Sequence, residues 1–258
     1  MNIFWVLLRK EWLESWRTYR VLVLLVVLAA FGILSPVTAR YMPQIIQLAS
    51  TDQAELAALA EIIPEPHPFD SVVQLARNVT GSGLIVIIVL TMGIVSREKQ
   101  TGTIVLLLSR PVHRAVFLVA KLTIMVAVTL IGLLVASLIC YLYTGLLFST
   151  WLSLPNMLIM TVLLLLYLLV PAGYTFLGST VLKSQFLAAG LGFSVWGLLG
   201  ILGYVGELGP YLPSALVDSS ILMFQGEAFQ SWGAVLVSLA LVGLSVLLTI
   251  VVFRRQEL

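Results

Sequence analysis

Two clusters of charge enclose a short apolar run at residues 96–121 of a mostly apolar chain. The stretch reads SREKQTGTIVLLLSRPVHRAVFLVAK, with cations on both sides of the apolar run 104–108. Five residues are too few to cross a hydrocarbon layer of roughly 30 Å. Such a segment suits a helix at the lipid boundary, which buries its apolar face in the head groups or in a groove on a soluble partner.

Residues that carry enzymatic chemistry are scarce. His67 and His113 fall in predicted loops, neither HExxH nor GxSxG occurs, and the single cysteine, Cys140, can supply neither a disulfide framework nor a cysteine metal site. No lysine follows a glycine, as a phosphate-binding loop requires. We therefore predict no catalytic residue, metal site or cofactor on this chain, so uphill transport would need energy from another chain.

Composition indicates the fold class. Of the 258 residues, 60% are hydrophobic and 10% charged, so the surroundings of most side chains must be lipid. Backbone polar groups in lipid must bond within their own helix. We predict an all-α polytopic membrane protein with six transmembrane helices. The spans are expected at about 21–36 with an extension to 42, from 79 or earlier to 97, and at 115–143, 155–181, 186–205 and 232–253. None carries an Asp, Glu or His near its middle, which argues against a proton- or sodium-coupled carrier.

The whole chain, 1–258, is predicted to form one transmembrane domain with four special segments. Residues 1–20 mix tryptophans with charges, as in a helix lying in the membrane interface. Residues 43–82 form a polar excursion, in which Asp52 and Glu55 resemble a capping box before a short amphipathic helix ending at Pro64. Residues 97–114 make the charged segment, and 206–231 are too polar to span.

The basic residues predict the topology. With six spans, twelve of the fourteen Lys and Arg residues share one side, and only Arg40 and Arg77 lie on the other. The positive-inside rule then places both termini and residues 97–114 in the cytoplasm.

The charged segment resembles a known signature. Glu98, Gly102-Thr103, Leu107-Leu108, Arg110-Pro111, Arg114 and Lys121 match the pattern after the second membrane helix in permeases of ATP-binding-cassette transporters of the type-2 exporter family. The opening RKEWLESWRTYR is similar to the interfacial helix of that family, and YLPSALVDSS is similar to the stretch before its last helix. The specific signature covers about 25 residues, whereas the layout covers the whole chain.

The resemblance implies a cytoplasmic coupling helix that docks on an ATPase. The implied coupling residues are Arg97, Glu98, Gly102, Thr103, Ile104, Leu107, Leu108, Arg110, Pro111 and Arg114, with Glu98 and Arg110 as candidate polar contacts. The interfacial helix, through Lys10, Glu11 and Arg17, would either flank the same ATPase or serve only as an anchor. ATP and Mg would bind two partner ATPase subunits.

Other partners follow from the same resemblance. A second permease chain, forming a homodimer, and membrane lipid are expected, but no nucleic acid, and the location would be a bacterial or archaeal inner membrane. The apolar interior favours a hydrophobic or amphipathic substrate, such as a lipid-linked molecule, a peptide or a drug, and the resemblance implies that it is exported. The alternatives are a non-transporting component that relays ATPase motion to an envelope partner, and an intramembrane hydrolase with an unrecognised site.

Two features allow two interpretations each. Gly197, Gly200, Gly203 and Gly206 recur at every third residue, which suits close helix packing or a dimer or pathway face. Residues 206–231 could form short re-entrant helices or an ordinary extracellular loop.

Overall fold

The computed structural model describes residues 3–49, 65–103, 113–204 and 206–256. Within these ranges the regular elements are helices and no strand occurs. The α-helices are α1 (Ile3–Arg17), α2 (Arg20–Ala49), α3 (Pro68–Asn78), α4 (Leu84–Met92), α5 (Ser96–Gln100), α6 (Arg114–Phe148), α7 (Leu154–Val181), α8 (Gln185–Leu202), α9 (Ser214–Leu222) and α10 (Trp232–Arg255). Six spans are long and apolar enough to cross a membrane, which confirms the predicted fold class.

Helix α7 lies at the centre of the bundle. It packs against α4, α6, α8, α9 and α10, while α2 packs against α6 and α3. The main core between these helices includes Leu28, Leu75, Ile88, Leu133 and Leu164, all buried. In lipid the helices gain little from removing apolar surface from water, so close van der Waals packing must hold such a core together.

The second span is longer than the sequence patterns suggest. Helices α3, α4 and α5 follow one another, with a π-helical turn at Val79–Gly83, so that the span runs over Pro68–Gln100. Val72, Leu75, Ala76 and Val79 are buried at helical spacing, which gives α3 a packing face despite its polar residues.

The start of α3 follows from local chemistry. Pro68 occupies the first turn, where its missing N–H has no cost, and the His67 N–H donates to Asp70 Oδ2 at 2.8 Å. Residues 68–82, assigned above to the polar excursion, are thus helical, and α2 likewise continues through Pro43 to Ala49. The helix expected between Asp52 and Pro64 lies outside the described residues.

Residues 206–231 contain short helices rather than one extended loop. A 3₁₀ helix at Gly206–Tyr211 precedes α9, and another follows at Met223–Gln225. Leu216 and Ser220 of α9 are buried, and Asn156 Nδ2 of α7 donates to the Met223 carbonyl at 2.9 Å. The segment therefore packs on the start of α7.

A glycine permits the close approach of α2 and α6. A Cβ atom added to Gly32 of α2 would lie 2.6 Å from the backbone oxygen of Ala136 in α6. By contrast, a Cβ atom added to Gly197 of α8 would meet nothing within 4 Å among the described residues. The first glycine is therefore required by packing within the chain, and the second is not.

Replacing these glycines should separate the two roles. Gly32→Ala should lower the free energy of unfolding by about 1–3 kcal/mol, because two backbones must move apart. Gly197→Ala should leave it unchanged or raise it by up to about 1 kcal/mol, since alanine favours the helix. Thermal unfolding of the purified variants in detergent measures both effects, and equal melting temperatures would contradict the proposed close approach of α2 and α6.

Candidate functional site

Five charged side chains from three helices meet at one end of the bundle. They are Lys10, Glu11 and Glu14 of α1, Glu98 of α5 and Lys121 of α6, and we call them the ion-pair network. Lys121 Nζ lies 2.9 Å from Glu11 Oε2 and 3.0 Å from Glu98 Oε1. The network therefore joins the N-terminal helix to the end of the second span and to the third span.

Lys121 is the most deeply buried member of this network. Its side chain is 1% exposed, and its ammonium lies 5.0 Å from the centre of the Phe117 ring. An ammonium inside an apolar helix bundle is strongly unfavourable without counter-charges. Glu11 and Glu98 supply those counter-charges from two different helices, which makes both helices necessary to the burial of Lys121.

Lys10 is the more exposed cation of the network and contacts all three of its carboxylates. Its Nζ lies 2.8 Å from Glu11, 2.9 Å from Glu98 and 2.7 Å from Glu14. Burial opposes the charged form of Lys10, but the carboxylates of Glu11 and Glu98 raise its pKa above the ordinary value. Burial likewise opposes the charged form of Glu14, and the hydrogen bond from Lys10 lowers its pKa. Both groups are therefore ionised at neutral pH.

The three carboxylates of the network lie close enough together to suggest a metal site. However, the ammonium groups of Lys10 and Lys121 already lie between them, at distances of 2.7–3.0 Å. A cation entering this space would meet two positive charges. The arrangement therefore supports an electrostatic joint between helices rather than metal binding.

Helix α5 also contacts the ends of α7 and α10. Ser179 Oγ of α7 accepts hydrogen bonds from the backbone N–H groups of Val95 and Ser96, both at 3.0 Å. Lys99 Nζ donates to the backbone oxygen of Thr180 in α7 and to the side chain of Gln256. Because carbonyl groups at a helix C-terminus lack partners within the helix, a lysine there is favourable.

Arg114, the first residue of α6, caps the end of α10 in the same way. Its Nη1 donates to the backbone oxygen of Gln256 at 2.7 Å, with a longer bond to that of Phe253 at 3.3 Å. The chain on both sides of residues 104–112 is thus attached to the bundle, before them by α5 and after them by α6.

The structure brings together only some of the residues singled out from the sequence. Lys10, Glu11 and Glu98 join the ion-pair network, whereas Arg17 and Arg97 are exposed. Glu98, expected as a contact for the ATPase, is buried and has two lysine partners within the chain.

Other predicted residues fall at the turn after α5 or outside the described residues. Gly102 has φ +70°, which glycine adopts without strain, and Thr103 is exposed beside it. Ile104, Leu107, Leu108, Arg110 and Pro111 lie outside the described residues, so their role stays a prediction.

The glycine series divides in two. Gly197 and Gly200 face open space on α8, whereas Gly203 lies near Ser214 and Gly206 begins a 3₁₀ helix.

Sequence reasoning did not assign roles to Glu14, to Lys99 or to the pairing of Lys121. One signal was present, because Lys121 falls inside an otherwise apolar predicted span. A lysine there requires an acidic partner. Glu98 and Glu11 were the nearby acids at the same predicted end of the bundle, but their geometry depends on how the three helices pack.

Removing the charge of Lys121 should weaken the contact between α1, α5 and α6. Lys121→Met keeps the length of the side chain but leaves Glu11 and Glu98 buried without it, which should cost about 3–5 kcal/mol of folding free energy. The matched control is Lys183→Met, which removes an exposed lysine from the turn between α7 and α8. The melting temperature in detergent should fall for the first variant only, and equal values would contradict a structural role for the network.

Comparison with known proteins agrees with this architecture. The chain matches the family described as "ABC-2 family transporter protein" over residues 5–258. It is also 26% identical over 267 residues to YxlG of Bacillus subtilis (strain 168), which is described as an uncharacterized transmembrane protein. The match spans 100% of this chain and 99% of that relative. The helical bundle with its six apolar spans therefore belongs to a member of the ABC-2 transporter family.

Proposed function

We propose that this chain is the permease subunit through which a separate ATPase drives export of a hydrophobic or amphipathic substrate. Two ATPase subunits, each binding ATP and Mg, would dock from the cytoplasm on residues 97–114. Both termini would then be cytoplasmic, in a bacterial or archaeal inner membrane, in keeping with the distribution of basic residues.

The ion-pair network is the observation that carries this proposal. Glu98 lies at the start of the proposed docking segment, and it contacts α1 through Lys10 and α6 through Lys121. Movement of residues 97–114 would therefore be passed to the N-terminal helix α1 and to the third membrane span. Through Ser179 and Lys99, the same α5 helix would act on α7 and, by Gln256, on the end of α10.

The proposed substrate class rests on the interior of the bundle. Its main core is built from apolar side chains, and the charged side chains described above lie at the end that carries α1. A small ion would find few polar ligands among these side chains, whereas the hydrocarbon part of an amphiphile could contact them favourably. Outward movement is the direction that agrees with the resemblance to exporters.

Replacing Glu98 should uncouple the permease from its ATPase. Glu98→Gln keeps the shape but removes the charge shared by Lys10 and Lys121. Substrate stimulation of the ATPase in proteoliposomes should fall about fivefold or more, a typical loss of coupling energy between two sites. Glu65→Gln, at an exposed position, is the control.

Two outcomes would contradict parts of this proposal. Unchanged stimulation in Glu98→Gln would remove the network from the coupling path. If the wild-type complex hydrolyses ATP in response to an envelope protein but moves no substrate into or out of vesicles, the chain would be a relay component rather than an exporter.

We also propose that the chain works as a homodimer in which α8 contributes to the interface. Only 17% of the residues of α8 are buried by the described parts of the chain, and Gly197 and Gly200 would let a second helix approach closely. A cysteine at Gly200 should form a disulfide-linked dimer in membranes. Gly190→Cys is the control, because Gly190 also faces open space but lies near the other end of α8.

The native cysteine does not complicate this measurement, since Cys140 is buried. Non-reducing electrophoresis after mild oxidation gives the dimer fraction. Equal fractions for the two variants, or no dimer for Gly200→Cys, would argue against this face of α8.

A further inference from the structure

The C-terminal end of α10 contacts both ends of the proposed docking segment, residues 97–114. At the first end, Lys99 Nζ of α5 donates a hydrogen bond to the side-chain oxygen of Gln256. At the second end, Arg114 Nη1 of α6 donates to the backbone oxygen of Gln256 at 2.7 Å and to that of Arg254 at 3.3 Å. One residue after the last helix therefore accepts hydrogen bonds from both ends of the segment.

An aromatic pair holds the same turn of α10. The ring of Phe253, which is fully buried, stacks on that of Phe117 in α6, with ring centres 6.1 Å apart. Lys99 Nζ lies 5.9 Å from the centre of the Phe253 ring, a distance at which an aromatic ring attracts an ammonium. Lys121 Nζ of the ion-pair network lies 5.0 Å from the centre of the Phe117 ring. These contacts make up what we call the C-terminal latch, formed by Lys99, Arg114, Phe117, Phe253 and Gln256.

Elsewhere α10 packs on the bundle through small side chains. Among residues Trp232–Arg255, which the structure describes throughout, the buried ones are Ala234, Ser238, Ser245, Thr249 and Phe253. Phe253 is thus the one large buried side chain of this helix. Within the described residues, the hydrogen bonds that join α10 and Gln256 to other helices all lie at the latch. Because a hydrogen bond weakens steeply when its atoms are misaligned, these contacts set the position of the helix end.

We propose that the C-terminal latch makes the last membrane span move together with the docking segment, and that Gln256 is its positioning residue. When residues 97–114 are displaced, Lys99 and Arg114 displace the end of α10 with them. The last span then receives the movement at the same end of the bundle as α1 and α6. This inference rests on the proposed function for the source of the movement, whereas the latch itself is a property of this chain alone.

Hydrogen exchange tests the latch on the purified full-length chain in detergent, with no ATPase present. Gln256→Ala removes the side-chain oxygen that Lys99 contacts, so the last turn of α10 should open more often. Backbone amides in peptides covering residues 250–256 should exchange about threefold faster or more, as for loss of one hydrogen bond. Arg255→Ala is the matched control, because Arg255 is adjacent to Gln256 but exposed, and its exchange should equal that of the wild type.

A conservative variant separates positioning from stability. Gln256→Glu keeps an oxygen acceptor for Lys99, so it should keep the slow exchange of the wild type. In proteoliposomes with the ATPase, Gln256→Ala should lower substrate stimulation about twofold or more, while the amount of ATPase that copurifies stays the same. Gln256→Glu should restore most of the stimulation. A residue that only stabilised the fold would lower copurification and stimulation together.

The two measurements distinguish failure of the latch from failure of the proposed function. Equal exchange in Gln256→Ala and the wild type, or equal acceleration in Gln256→Ala and Arg255→Ala, would overturn the latch whatever the ATPase does. If stimulation falls in Glu98→Gln but not in Gln256→Ala, coupling through residues 97–114 stands and the positioning role of Gln256 is wrong. Unchanged stimulation in both variants would contradict the proposed function, and faster exchange in Gln256→Ala would still support the latch.

Discussion

A charged lysine buried between apolar helices is the constraint on which this end of the molecule depends. Lys121 lies seven residues inside α6, where an ammonium without partners would be strongly unfavourable. Its two carboxylate partners come from elements far apart in the chain, Glu11 in α1 and Glu98 in α5. The burial of one cation therefore holds the N-terminal helix and the end of the second span against the third span.

The surrounding contacts extend this joint to the other helices. Lys99 and Arg114 donate to backbone oxygens at the ends of α7 and α10, where carbonyl groups lack partners within the helix. Helix α5 is only five residues long, yet its side chains and backbone reach five other helices, α1, α6, α7, α8 and α10. Such a short element can transmit a displacement because its contacts are directional hydrogen bonds and ion pairs rather than apolar packing alone.

The proposed coupling to an ATPase would act on the ion-pair network from residues 97–114 through Glu98. By contrast, α8 and α10 leave most of their surface outside the bundle, which is where lipid or a second chain would lie.

Much of the fold was determined by the sequence alone, because lipid imposes simple rules on length and polarity. The lengths of the apolar runs predicted six membrane-spanning helices, as the structure has them. The motif around Glu98 and Arg114 indicated the family, which the match over residues 5–258 confirmed. The sequence placed the start of the second span only at 79 or earlier, since the polar residues of α3 hide a packing face that is visible only once α2 lies beside it. The partners of Lys121 were decided by tertiary structure. They lie on different helices, 110 and 23 residues away in the chain, and no local pattern encodes the distances between those side chains.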